Sequence, residues 1–189
     1  MVPGFRYRLR RGKKPRFVFV TNNHKHMIDV IHIASYICER YQKEYGTHID
    51  EMKLHKLLYF TQRECLIQTG LPMFSEPFSA WKYGPVIVSI RQYYKKDALH
   101  EVPSGKMPDE YQAVFDKVFD QYAPKSSLSL SSLSHSEYSW QHARGSAGRD
   151  DHCDTFIDIH DIEKDAERIK MRRFMLKAIR QMEKKEAIA

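Results

Sequence analysis

Lys53 to Tyr94, KLHKLLYFTQRECLIQTGLPMFSEPFSAWKYGPVIVSIRQYY, is the stretch that decides the fold. Two apolar-periodic segments flank a short rigid one. Leu54, Leu57, Leu58, Thr61, Cys65 and Leu66 recur at helical spacing and predict one buried stripe. Asp50 is a good N-cap for that helix, with Ile49 before it and Leu54 at staple spacing. Gly70, Leu71 and Pro72 form a stop: a glycine able to turn left-handed, then an apolar residue, then a proline that cannot continue. Phe74 to Tyr83, with Pro77 and alternating bulky residues, predicts a small strand or hairpin arm. At its end sit Ala80-Trp81-Lys82-Tyr83-Gly84-Pro85-Val86. Pro85 is expected at the first position of the next helix, which carries Val86, Ile87, Ile90 and Tyr94.

Working outward, a helix is predicted from Met27 to Tyr45, with Ile28, Ile31, Ala34, Cys38, Tyr41 and Tyr45 on one face and Gly46 as its terminator. Pro108, Asp109 and Glu110 open another, with Tyr111, Val114, Phe115, Val118, Phe119 and Tyr122 as its stripe and Pro124 as its end. Ser126 to Leu133 is rich in serine, but its spaced leucines predict a short packed helix rather than a linker. Ser134 is a candidate N-cap for a further short helix bearing Trp140. Residues 145–154 are expected to form an exposed loop, and a long charged helix is expected from Asp158 or Asp161 to Lys185. The fold class expected is mainly α, a multi-helix domain with a small β element around residues 74–83. The chain divides into a basic extension (1–26), the domain (27–170) and a helical extension (171–189).

Composition narrows the function classes. The 189 residues carry a net charge of +7. Met1 to His26 holds eight Lys and Arg and no acid, so the rest of the chain is 7 − 8 = −1 and nearly neutral. A footprint for nucleic acid therefore lies only in the arm, through Arg6, Arg8, Arg10, Arg11, Lys13 and Lys14, which alternate with Tyr7 and Leu9. The plainer readings of the arm are a solubilising tail, or translation from upstream of Met27. No apolar run is long enough to span a membrane. Cys38, Cys65 and Cys153 are odd in number and lack metal-ligand spacing, which suits a reducing cytoplasm.

Catalytic and metal signatures are weak. Asp151-His152-Cys153-Asp154 with His160 is the best local set for a metal, but it lacks a second cysteine pair, so no metal and no cofactor are expected. His135, Ser136 and Glu137 include nucleophile and base types, yet adjacency in sequence is not triad geometry, and no oxyanion loop accompanies them. No P-loop or dinucleotide fingerprint occurs. His135 and Trp140 read better as core residues that hydrogen-bond through their ring N–H groups. The chain is expected not to be an enzyme. Trp81 and Tyr83 are amphipathic anchors, suited to closing the core or meeting a partner.

Three blocks together carry a resemblance. Lys53-Leu54-His55-Lys56-Leu57-Leu58-Tyr59-Phe60 resembles the K-L-x-K-L-L-Y-[YF] helix of the Panacea domain, the SocA-like antitoxin family, also found in phage and prophage proteins. Phe74-x-Glu76-Pro77-Phe78-x-Ala80-Trp81-Lys82-Tyr83-Gly84-Pro85-Val86 is similar to its second block. Leu133-Ser134-His135-x-Glu137-x-x-Trp140-x-x-Ala143-Arg144 is similar to its third, with Ser134 where Thr is more usual. The resemblance spans roughly residues 27–170. It implies a helical antitoxin that neutralises a cognate toxin by direct binding, or that hands the toxin to the ClpXP protease as an adaptor. Trp81, Tyr83, Gly84, Pro85, His135 and Trp140 would then form the scaffold around the toxin-binding surface. Two rivals stand beside this reading: a nucleic-acid-binding protein using the arm, and a hydrolase using His135.

Overall fold

The structure is a computed structural model and describes residues 27–148 and 151–186. The basic extension, with Arg6, Arg8, Arg10, Arg11, Lys13 and Lys14, lies outside the described residues. Seven α-helices and one two-stranded hairpin follow in the order α1 (Val30–Tyr45), α2 (Glu51–Thr69), β1 (Ser79–Trp81), β2 (Gly84–Val86), α3 (Val88–Lys95), α4 (Asp109–Tyr122), α5 (Ser127–His135), α6 (Tyr138–Arg144) and α7 (Ile159–Glu186). A single 3₁₀ turn, Leu99–Glu101, sits between α3 and α4. The mainly helical class expected from the sequence is the one observed.

The first two helices begin and end where local chemistry places their ends. The Asp29 carboxylate accepts the Ile31 N–H, and Asp50 accepts the Lys53 N–H, each at 2.9 Å. Gly46 and Gly70 close α1 and α2 in the left-handed conformation. These contacts satisfy N–H groups that a helix start leaves open.

α2 is the centre of the domain and packs against α1, α4, α5, α7 and β2. Here the structure corrects the single-stripe reading. Every residue from Lys53 to Ile67 is buried, including Lys53, His55, Lys56, Gln62, Arg63 and Glu64. A helix enclosed on all sides needs partners for its polar side chains as well as its leucines. α4 behaves as its pattern predicts, with all six stripe residues buried.

Four other expectations shift. Pro85 lies in β2, and the next helix begins only at Val88. The register pairs Ser79 with Val86, Ala80 with Pro85 and Trp81 with Gly84. Pro85 fits this position because its carbonyl points away from β1 to the Lys56 ammonium, so no ladder N–H is needed from it. In α5 the buried residues are Leu130, Ser131 and Ser134, whereas Leu128 and Leu133 are exposed. Ser134 is inside α5, so it does not cap α6. The loop expected at 145–154 is exposed at most of its described positions, but Cys153 is buried, and the segment after it is tied to the hairpin: Phe156 bridges Ser79, the Ala80 N–H donates to the Thr155 carbonyl at 2.9 Å, and Ile157 is buried. No helix among the described residues is long and apolar enough to cross a membrane.

Candidate functional site

The hairpin is held by side chains from three helices that meet nowhere else in the sequence. Trp81 and Gly84 flank a two-residue turn, Lys82-Tyr83. Four of its backbone carbonyls each accept a side-chain donor at 3.0 Å. Arg144 Nη1 donates to Ala80, Trp140 Nε1 to Trp81, Ser131 Oγ to Tyr83 and Lys56 Nζ to Pro85. Gly84, at φ +99°, sits where a Cβ would strike Ser134 Oγ and come within 2.8 Å of Lys56 Cε and Nζ. The three sequence blocks thus converge on one glycine: Lys56 from the first, Gly84 from the second, Ser134 from the third.

Around this point lies an aromatic corner. The His135 and Trp140 rings stack at 4.1 Å and 17°. Trp81 is half-buried, donates from Nε1 to Asp154 Oδ1 at 3.1 Å, and has the Arg91 guanidinium 5.0 Å from its ring centre. Tyr83, at the tip, is 54% exposed. The structure therefore brings Trp81, Gly84, Pro85, His135 and Trp140 into one cluster, and Tyr83 presents its ring outward.

Beneath the corner runs a network of buried charge that a helical stripe does not reveal. Arg63 donates to Glu137 and to the Tyr122 hydroxyl, and its guanidinium lies 4.8 Å from the Phe60 ring centre. Glu64 receives a two-pronged contact from Arg173 at 2.8 and 2.9 Å. Tyr59 and Ser139 share a hydrogen bond of 2.8 Å. The fully buried Asp165 carboxylate accepts the Tyr138 N–H at 2.9 Å and the Ser139 N–H at 2.8 Å. It closes the start of α6 from a different helix, because Glu137 at the N-cap position makes no side-chain cap bond.

Electrostatics follow from burial and partners. Burial pushes the Glu137 carboxyl up to about 7 against the pull of Arg63, with the Asp165 carboxylate adding to the rise. Glu64 is also raised by burial, but the Arg173 fork and Gln68 outweigh that and hold it below the ordinary carboxylate range. Burial pulls Lys56 down to about 7, and His55 down to about 3 with the help of the Lys56 and Arg91 charges. His55 is therefore a neutral ring whose Nδ1 accepts the Ile87 N–H at 3.4 Å.

An amine held near neutral beside a serine is a nucleophile–base pairing in principle. Here both groups are enclosed and engaged: Lys56 donates to Pro85, and Ser134 Oγ donates to the Ser131 carbonyl at 2.8 Å. His135 faces Trp140 on one side and lies 3.4 Å from Ser131 Oγ through Nε2. In the other candidate set, His152 pairs with Asp154, His160 pairs with Glu163, and Cys153 is buried. No group of three or more metal-ligating side chains occurs among the described residues. The arrangement is that of a braced platform, able to hold a rigid aromatic edge against a partner.

Sequence reasoning missed Arg63, Glu64 and Asp165 as site-building residues. Their one visible signal is that Arg63-Glu64 interrupts an otherwise apolar helix centre.

Comparison with known proteins gives one match. Residues 54–141 fit the family model described as antitoxin SocA-like, Panacea domain. No curated protein and no solved structure matches the chain.

Proposed function

Because residues 54–141 form a SocA-like Panacea domain, we propose that this chain is an antitoxin that binds and silences a cognate toxin protein, with no chemistry of its own. The observation that carries the reading is the convergence of all three motif blocks on Gly84. Lys56, Ser134, Trp140 and Arg144 together brace a hairpin whose Tyr83 tip is exposed. A rigid aromatic tip loses little conformational freedom on binding, which favours recognition of a protein surface. The cytoplasm, where a toxin and its antitoxin would meet, suits a chain with three free cysteines.

The test is growth. The gene adjacent to this one is expressed with and without this chain. The expected result is arrest by the neighbour alone and recovery on co-expression. A harmless neighbour, or arrest that persists with this chain present, overturns the reading. Repeating the experiment in a host lacking ClpXP separates two routes. Recovery that persists there means sequestration; recovery that vanishes there means delivery to the protease.

A further inference from the structure

α7 is a helix of 28 residues, about 42 Å long, and only its first half is covered. Ile162 and Ala166 are buried, Ile169 packs against the core, and Arg173 reaches Glu64. From Phe174 to Lys184 every residue is exposed except the half-buried Ala178. The exposed part is nonetheless apolar on one side. Met171 is 55% exposed, Phe174 70%, Met175 56%, Ile179 51% and Met182 64%.

The two apolar faces lie on opposite sides of the same helix. Nine residues separate Ile162 from Met171, about two and a half turns at 3.6 residues per turn. Met171, Met175, Ala178 and Met182 then repeat at spacings of four, three and four, the seam of a helix that packs on another element. A helix whose apolar face turns away from its own domain has that face available to something else.

We infer that the last turns of α7, from Met171 to Lys184, are a docking surface for an acidic, apolar groove on the partner protein. This rests on the reading of the chain as a protein-binding antitoxin and names the surface involved. Charge selects the occupant. Residues 170–186 hold seven Lys and Arg against Glu183 and Glu186, a net +5. Arg173, Lys177, Arg180 and Lys184 repeat the four-three-four spacing on the side opposite the methionines. Pairing with a second copy would bring two segments of the same net charge together, with Lys170 and Arg172 bordering the shared seam, and like charges repel. A helix lying in a lipid surface sets its bases along the borders of its apolar face, level with the headgroups. Here only Lys170 and Arg172 border the apolar face, while Lys177, Arg180 and Lys184 lie on the far side, where a groove with acidic walls can reach them. Exposed methionines adapt to a partner's relief, as at other helix-in-groove contacts. The surface also lies outside residues 54–141, the part shared with the family, where a partner-specific contact is expected.

The experiment uses the full chain and the purified product of the adjacent gene. Two variants are compared with wild type: Met175→Glu with Met182→Glu, and Lys177→Glu with Arg180→Glu and Lys184→Glu. All five positions are exposed, so circular dichroism and melting should match wild type. The expected result is binding weaker by about tenfold or more in each variant, with wild-type affinity falling as salt rises. Three outcomes overturn the inference: both variants bind as wild type does; wild type binds phosphatidylglycerol vesicles through these positions while its protein binding is untouched; or the substitutions abolish self-association instead. If wild type itself neither binds nor neutralises the neighbour, the antitoxin reading fails and this inference fails with it.

Discussion

Gly84 is restricted twice, by its φ of +99° and by the space around its α-carbon. Replacing it with alanine adds backbone strain and a clash with Ser134 Oγ and Lys56. The expected cost is about 2–4 kcal/mol, read as a fall in the urea midpoint. Gly84→Ala combined with Ser134→Ala should recover part of that loss; strictly additive effects would refute the contact. His55 makes a second residue-scale prediction. Its folded pKa of about 3 lies below the ordinary 6.5, so the unfolded chain binds the extra proton between those values. Stability from the neutral ring is present above 6.5 and is lost as the pH falls toward 3. His55→Asn keeps an acceptor for the Ile87 N–H and removes the titration. Its stability should fall less steeply than that of wild type over that range, and identical slopes would exclude His55 as the titrating group. The importance of Gly84 was legible from Gly-Pro in the sequence, although as a helix start. Its contact with Lys56 and Ser134 was not legible, because those residues stand 28 and 50 positions away.

At the scale of elements, α6 is seven residues long and owes its start to Asp165 of α7. A carboxylate accepting two N–H groups at a helix N-terminus combines capping with a favourable dipole. Asp165→Ala should therefore cost about 2 kcal/mol or more. It should also redden Trp140 emission as the His135–Trp140 stack loosens; unchanged emission and melting would show that α6 starts without this cap. Helix positions were readable because Asp50, Gly46, Gly70 and Pro124 are local signals. The surroundings of α2 were not readable. Lys53, Lys56, Arg63 and Glu64 resemble a solvated face until their partners are known, and those partners include Glu137, 74 residues from Arg63, and Arg173, 109 residues from Glu64. α7 posed the converse problem: its alternating charges concealed two apolar faces pointing in opposite directions.

For the whole molecule, the mainly helical class followed from periodicity, and the three motif blocks marked the domain before any packing was known. How the blocks fit together could not be read, since each contributes side chains to carbonyls of another. The central position of α2 has a consequence in time. The ribosome releases α2 well before Glu137 and Arg173 exist, and until they emerge Arg63 and Glu64 lack their ion-pair partners. Contacts so distant along the chain are closed late and at an entropic cost. The braced hairpin is therefore among the last features a nascent chain acquires, and a chain cut short before α7 would be left as an unfinished helix cluster open to proteolysis. Length would then act as a checkpoint: only a fully synthesised chain presents the Tyr83 tip on a finished support.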